Sequence, residues 1–250
     1  MGSQLRRIIA IIPARMASTR LPGKPLADIC GRPMIEWVYE RARAAKRVDE
    51  VIVATPDEEI ADAVAAFDGR AVMTSAEHRS GTDRLAEVAA ALLDDADIVL
   101  NVQGDEPLVP PEAIDSLVDP LLDPAPPEMT SLMRRIGREE AADPNLVKVV
   151  TDRAGRALYF SRSAIPFVRS EHPGLVICGH VGLYGCSAAT LRAFSRLEPA
   201  PLELAESLEQ LRALENGWRI QMIGTSFSPI GVDTEEDLAR VQALLAEGEA

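Results

Sequence analysis

Ile8-Ile9-Ala10-Ile11-Ile12-Pro13-Ala14-Arg15-Met16-Ala17-Ser18-Thr19-Arg20-Leu21-Pro22-Gly23-Lys24-Pro25 joins an apolar run of strand length to a loop carrying Arg15, Arg20 and Lys24. A run that is apolar throughout, rather than alternating, suits a central strand covered on both faces of a sheet. Open α/β sheets bind ligands in loops at the ends of such strands. The chain as a whole is acidic, with a formal net charge of −13 from 26 Lys plus Arg against 39 Asp plus Glu. Any one of the three cations reads as a solvated loop charge. Gathered in one loop against that balance, they point to an anion, most simply a nucleoside triphosphate. The loop is not a Walker A sequence, because Ser18 stands where its first Gly belongs and Pro25 where Ser or Thr belongs. No Gly-x-Gly-x-x-Gly follows the strand, which disfavours a dinucleotide site.

A chain of 250 residues, 47% hydrophobic, suits one large α/β domain or two small ones. The acidic balance argues against a general nucleic-acid binder, which carries a basic footprint. Cys30, Cys178 and Cys186 are an odd set without a C-x-x-C pair. They are expected as reduced thiols in a cytoplasmic protein, not as a disulfide framework or a zinc site. The start, Met1 to Arg7, is too short and polar for a signal peptide, and no run approaches the ~20 apolar residues of a membrane span.

The patterning predicts strands at Arg7–Ile12, Glu50–Ala54, Ala71–Met73, Ile98–Val102, Thr130–Met133, Val147–Thr151, Ala157–Phe160, Ile177–Gly185 and Arg219–Ile223. It predicts helices at Met34–Ala45, Glu58–Ala66, Ser80–Leu93, Pro111–Val118, Ala188–Arg196, Leu204–Glu215 and Glu235–Ala246. Strand and helix alternate in the first half, the signature of βαβ units on a parallel sheet. The Pro-rich stretch Asp119–Glu128 reads as a surface loop, and strands dominate from Thr130 to Gly185. The expectation is one α/β domain over 1–250, its mostly parallel central sheet flanked by helices. A mixed antiparallel extension, substrate-facing and dimer-forming, is expected at 130–218.

Asn101-Val102-Gln103-Gly104-Asp105-Glu106-Pro107 follows an apolar strand and places carboxylates at its carboxyl end. Asp105 is the first candidate ligand for a hard divalent ion, with an ordinary turn residue as the plain alternative. Gly231-Val232-Asp233-Thr234-Glu235-Glu236-Asp237 is the second acidic site. Read alone, Asp233 is better taken as part of a helix cap, because Thr234-x-x-Asp237 is close to a capping box. Beside Asp105, it could share one ion. Between a short strand and a helix, Ser80-Gly81-Thr82-Asp83-Arg84 offers Ser80 or Thr82 as a cap and a helix N-terminus that favours an anion. Period-two alternation puts His180, Gly182 and Tyr184 on one side of a strand. Glu209 and Gln210 read as a solvated helix face, and spacing does not rank Asn145, Lys148, Ser161 and Arg162. No Ser/His/Asp triad or H-E-x-x-H is present, and where a glycosyltransferase usually shows Asp-x-Asp this chain reads Gln103-Gly104-Asp105.

Taken in order, these pieces resemble the 3-deoxy-manno-octulosonate (Kdo) cytidylyltransferase family nearly end to end. The likeness rests on Ile12 to Leu26, Met73 to Ser75, Ser80 to Glu87, Asn101 to Pro107, Leu158 to Arg162, Ile165-Pro166, His180 to Tyr184, Leu208 to Arg212 and Gly231 to Leu238. The first motif is shared with other sugar-acid cytidylyltransferases, and Gln103 to Pro107 with Leu208 to Arg212 favours the Kdo branch. The resemblance implies a fold like the nucleotide-diphospho-sugar transferases, a homodimer, and CTP plus Kdo giving CMP-Kdo and pyrophosphate for lipopolysaccharide biosynthesis. It implies that Arg15 and Lys24 hold the triphosphate and that Thr74, Ser80, Gly81, Arg84 and Gln103 line the cytidine side. It implies Asp105 and Asp233 as Mg²⁺ ligands, with Arg162, His180, Tyr184, Glu209 and Gln210 facing the sugar acid. Cys186 departs from the family, where an aromatic follows this position's Tyr-Gly, and bears on the sugar pocket or dimer packing. A cytidylyltransferase for sialic acid or 8-amino-Kdo, or a non-catalytic nucleotide binder, are the other readings.

Overall fold

The structure, a computed structural model, describes residues 6–18, 20–170 and 172–247. Most of the segment read as too short for a leader therefore lies outside the described residues. In chain order the elements begin with β1 (Ile8–Pro13), β2 (Asp28–Ile29), β3 (Arg32–Pro33), α1 (Met34–Arg43), β4 (Glu50–Thr55), α2 (Glu58–Ala66) and β5 (Ala71–Met73). They continue with α3 (Gly81–Leu92), β6 (Ile98–Asn101), α4 (Pro111–Ser116), β7 (Met129–Arg135), α5 (Arg138–Ala141), β8 (Lys148–Thr151) and β9 (Ala157–Ser161). The last are β10 (Cys178–Ser187), α6 (Ala188–Phe194), α7 (Pro201–Glu206), α8 (Gln210–Glu215), β11 (Ile220–Gly224) and α9 (Glu235–Ala246).

β1 lies inside the main sheet, whose order is β11-β7-β10-β6-β1-β4-β5. It pairs in parallel with both β4 and β6. Ile9, Ala10, Ile11 and Ile12 are wholly buried. Ala10 and Ile12 pack with Ile35 and Val38 of α1, whereas Ile9 and Ile11 pack with Leu85 and Val88 of α3. That double cover is why the strand reads as continuously apolar. β10 runs antiparallel to β6 and β7, and β11 returns parallel to β7. Much of the 130–218 segment is thus continuous with the main sheet, and only β8 and β9 stand off its path.

Two local differences from the expected elements have physical reasons. The β2–β3 hairpin turns through Cys30 (φ 53°) and Gly31 (φ 83°), a backbone that favours Asn-Gly or Asp-Gly, so Cys30 concealed it. The helix expected over Leu204–Glu215 is two, broken where Ser207 takes φ 53°. Arg162 donates from Nε to the Glu206 carbonyl at 2.7 Å and from Nη2 to that of Ser207 at 3.4 Å. A guanidinium thus satisfies carbonyls left free at the end of α7. Part of the Asp119–Glu128 stretch, Asp119–Leu122, winds as a 3₁₀ turn instead of an open loop.

Candidate active site

The loop after β1 folds back on itself, with Gly23 N–H donating to Met16 O at 3.2 Å and Met16 N–H to Asp57 Oδ2 at 2.7 Å. Gly23, at φ 70°, then starts the 3₁₀ turn Lys24–Leu26, which delivers the Lys24 side chain to the strand ends. The β6 loop crosses the end of β1 so closely that a Cβ on Gly104 would lie 2.8 Å from Pro13 O. Only glycine permits this crossing, and the next residue is Asp105.

Asp105 and Asp233 meet. Lys24 Nζ donates to Asp105 Oδ2 at 2.7 Å and to Asp233 Oδ1 at 3.0 Å. A backbone bond from Val232 N–H to Asp105 O, 2.9 Å long, ties the two acidic loops together. Thr234, not Asp233, caps α9: its Oγ1 accepts from Asp237 N–H at 3.2 Å. The Asp233 carboxylate is therefore free for the cleft, where Arg20 also reaches its Oδ2 at 2.9 Å. Burial works against the Lys24 charge, but Asp105 and then Asp233 outweigh it and hold the ammonium above its ordinary pKa. Lys24, expected on the triphosphate, is here neutralised by carboxylates.

The unpaired cations are others. Arg15 and Arg84 line one cleft with Ser80, Gly81, Gln103 and Asp105. Arg84 is buried; Nη1 donates to the Thr74 hydroxyl and, at 3.1 Å, to Ser75 O. Burial, and then the charge of Arg15, pull Arg84 below its ordinary pKa. Among the described residues neither guanidinium has a carboxylate within ion-pair distance. Two like charges so placed favour an anion between them. Ser80 caps α3, its Oγ accepting from Asp83 N–H at 3.2 Å. The free N–H groups of that helix end add to the same field. Arg15, Gln103 and Asp105 also line the adjoining cleft with Arg20, Lys24 and Asp233, so the two form one basin.

The residues expected to face a sugar acid divide. Glu209 is not solvated face: it lines the Arg15–Arg84 cleft, and its Oε2 accepts from Thr82 Oγ1 at 2.6 Å. Glu209, Gln210 and Tyr184 also line a largely apolar cavity with Cys186 and Phe194. Burial, then Glu209, raises the Tyr184 hydroxyl, and burial pushes the Cys186 thiol up to about 12. His180 is buried, with Nε2 2.8 Å from Ser131 Oγ. Ser131 donates to Leu183 O at 2.8 Å, so the imidazole is the donor and Nε2 carries its hydrogen. Burial lowers His180 to about 4, which keeps it neutral. Arg162 does not line these clefts; its guanidinium is spent on the carbonyls of Glu206, Ser207 and Pro144.

Glu106 was passed over by sequence reasoning, though it follows Asp105. Its carboxyl is buried, and burial, then Asp105, push it up to about 8. Thr82 reads in sequence only as a helix cap, and Arg20, read with Arg15 and Lys24 as a sign of an anion, here reaches Asp233. Hard oxygen donors that converge on one positive centre fit Mg²⁺, which often takes one or two carboxylates and completes its shell with substrate phosphates and water.

An open α/β sheet with an acidic pair and a cationic cleft at its strand ends fits a nucleotidyltransferase. A 4-diphosphocytidyl-2C-methyl-D-erythritol synthase structure shares this fold, with a TM-score of 0.65 at 17% identity. A structure of CMP:2-keto-3-deoxy-manno-octonic acid synthetase complexed with CTP superposes with a TM-score of 0.91 at 45% identity, covering 97% of this chain and 99% of that one. The 3-deoxy-manno-octulosonate cytidylyltransferase of Geobacter metallireducens is 56% identical over 246 residues, 94% of this chain and 96% of that protein. Residues 9–221 match the cytidylyltransferase family model. The chain belongs to the cytidylyltransferase family, in its 3-deoxy-manno-octulosonate branch.

Proposed function

We infer that this protein joins CTP to 3-deoxy-D-manno-octulosonate, releasing pyrophosphate and giving CMP-Kdo, the activated sugar for lipopolysaccharide biosynthesis. One observation carries the reading: Asp105 and Asp233 meet on one cation in the basin that Arg15 and Arg84 share. Both reactants are anions, so an enzyme joining them must first offset their charge. The names of the relatives supply the base and the sugar.

Arg15 and Arg84 hold the triphosphate, with the α3 N-terminus beside them, and Lys24 offsets charge on the departing pyrophosphate. Gln103 is held by its bond to Gly182 O at 3.2 Å, facing the cytidine side. Asp105 and Asp233 would hold Mg²⁺, which, when bound, draws charge from the α-phosphate and lowers the pKa of the attacking hydroxyl. The anomeric hydroxyl of the sugar attacks the α-phosphorus. Its new P–O bond forms as the bond to the bridging oxygen of pyrophosphate breaks, and the hydroxyl gives up its proton to water. Tyr184, Glu209 and Gln210 orient the sugar acid, and His180 shapes that side through its 5.4 Å ring contact with Tyr184.

A pyrophosphate-release assay should cross four nucleotides with Kdo, 8-amino-Kdo and sialic acid, with and without Mg²⁺. Release with CTP and Kdo alone, dependent on the metal, is expected. Faster release with another acid sugar would reassign the substrate, and CTP binding without release would make the protein a binder. We further propose a cytoplasmic homodimer. Its support is the exposure of Leu158 (61%), Phe167 (87%) and Leu204 (67%) on the segment around β9 and α7. Sedimentation should give the mass of two chains; a monomer at micromolar concentration contradicts the proposal.

A further inference from the structure

The two aspartates come from loops far apart in sequence, so something must set their separation. We propose that Glu106 is a positioning residue that clamps the 229–233 segment against the β6 loop and thereby spaces Asp105 and Asp233 for a shared cation. This rests on the functional reading above. Ile230 N–H lies by the buried Glu106 carboxyl and favours its charged form. Val232 N–H donates to Asp105 O at 2.9 Å, so one backbone bond joins the two segments beside the Glu106 side chain. Between them, a Cβ on Gly231 would lie 3.2 Å from Glu106 Oε1, closer than most real contacts. The missing side chain at Gly231 is what lets the carboxyl lie flat against that backbone. Among the described residues, no protein group hydrogen-bonds the buried Glu106 Oε2. Downstream, Val232 is anchored among Leu21, Ile29, Met34 and Val241. The clamp therefore sets Asp233 against a fixed floor.

Calorimetric titration of metal-free CTP and of Mg·CTP separates this role from general stability. For Glu106→Ala, binding of Mg·CTP should weaken about tenfold while metal-free CTP, held by Arg15 and Arg84, binds as in the wild type. Glu106→Gln keeps an oxygen for Ile230 N–H and the side-chain shape, so it should restore Mg·CTP binding to within about twofold. If Glu106→Ala does not fold, Gly231→Ala, which crowds Oε1 and leaves Glu106 in place, should give the same split. Equal weakening of both forms of CTP, or none of either, in the variant that folds overturns the proposal. So does a Gln variant as impaired as the Ala one. A wild-type protein that binds neither form overturns the functional reading itself and this inference with it.

Discussion

The parallel and antiparallel halves of the sheet treat their polar side chains in opposite ways. At the ends of β1 and β6, charge is left unsatisfied or shared among partners that a ligand can displace. Among the described residues Arg15 and Arg84 form no ion pair, and Lys24 divides itself between two carboxylates. Around β7 to β10 three polar side chains are closed on protein partners. His180 is held by Ser131, Lys148 by three backbone carbonyls, and Arg162 by the end of α7. Binding energy for an anion is available in the first region, whereas the second supplies shape.

Substitutions should therefore separate by region, catalysis in one and stability in the other. The largest effect is expected from Asp105→Ala: turnover falls on the order of 10³-fold with thermal unfolding within a few degrees of the wild type. Turnover near normal at saturating Mg²⁺ would break the contrast. Lys148→Met should cost about 3 kcal/mol, because Nζ donates to the carbonyls of Asp143 at 2.8 Å and Leu146 at 2.6 Å from full burial. Urea titration reads that loss, and a cost below about 1 kcal/mol would deny that these bonds matter.

The pH dependence of stability tests the closed region again. His180 in the folded chain titrates at about 4, below an unfolded value of about 6.5. Between these the unfolded chain binds the extra proton, so stability is full above pH ~6.5 and falls as the pH drops toward 4. The loss should approach, and not exceed, about 3.5 kcal/mol at roughly 1.4 kcal/mol per unit. His180→Gln should flatten that slope; denaturant titrations across the window would detect a slope that persists. Smallest is Arg162→Lys, expected to cost about 1 kcal/mol by losing the forked contacts, with KM for Kdo unchanged. A tenfold rise in that KM with stability intact would put Arg162 back on the sugar.

Legibility followed the same divide. The Arg15–Lys24 loop, Asp105 and the α3 start were readable because each follows directly from a strand of matching pattern. Their roles are set by neighbours in sequence. Asp233 is ambiguous in sequence because Asp and Thr both cap helices, and the bond from Asp237 N–H to Thr234 Oγ1 decides between them. Glu209 read as solvated because nothing local signals the helix break at Ser207, which depends on Arg162 reaching over from β9. Lys148 could not be ranked because its partners are carbonyls, which have no side-chain signature. The hairpin at Cys30-Gly31 hid behind an uncommon turn residue.

The central claim is that two distant carboxylates share one cation opposite a cradle for phosphate. Crystals grown with CTP and Mn²⁺ and measured at the manganese absorption edge test it most directly. The account predicts one anomalous peak bonded to both Asp105 and Asp233, with phosphate oxygens on the side of Arg15 and Arg84. A peak held by phosphates alone, with Lys24 still bridging the two aspartates, would contradict it.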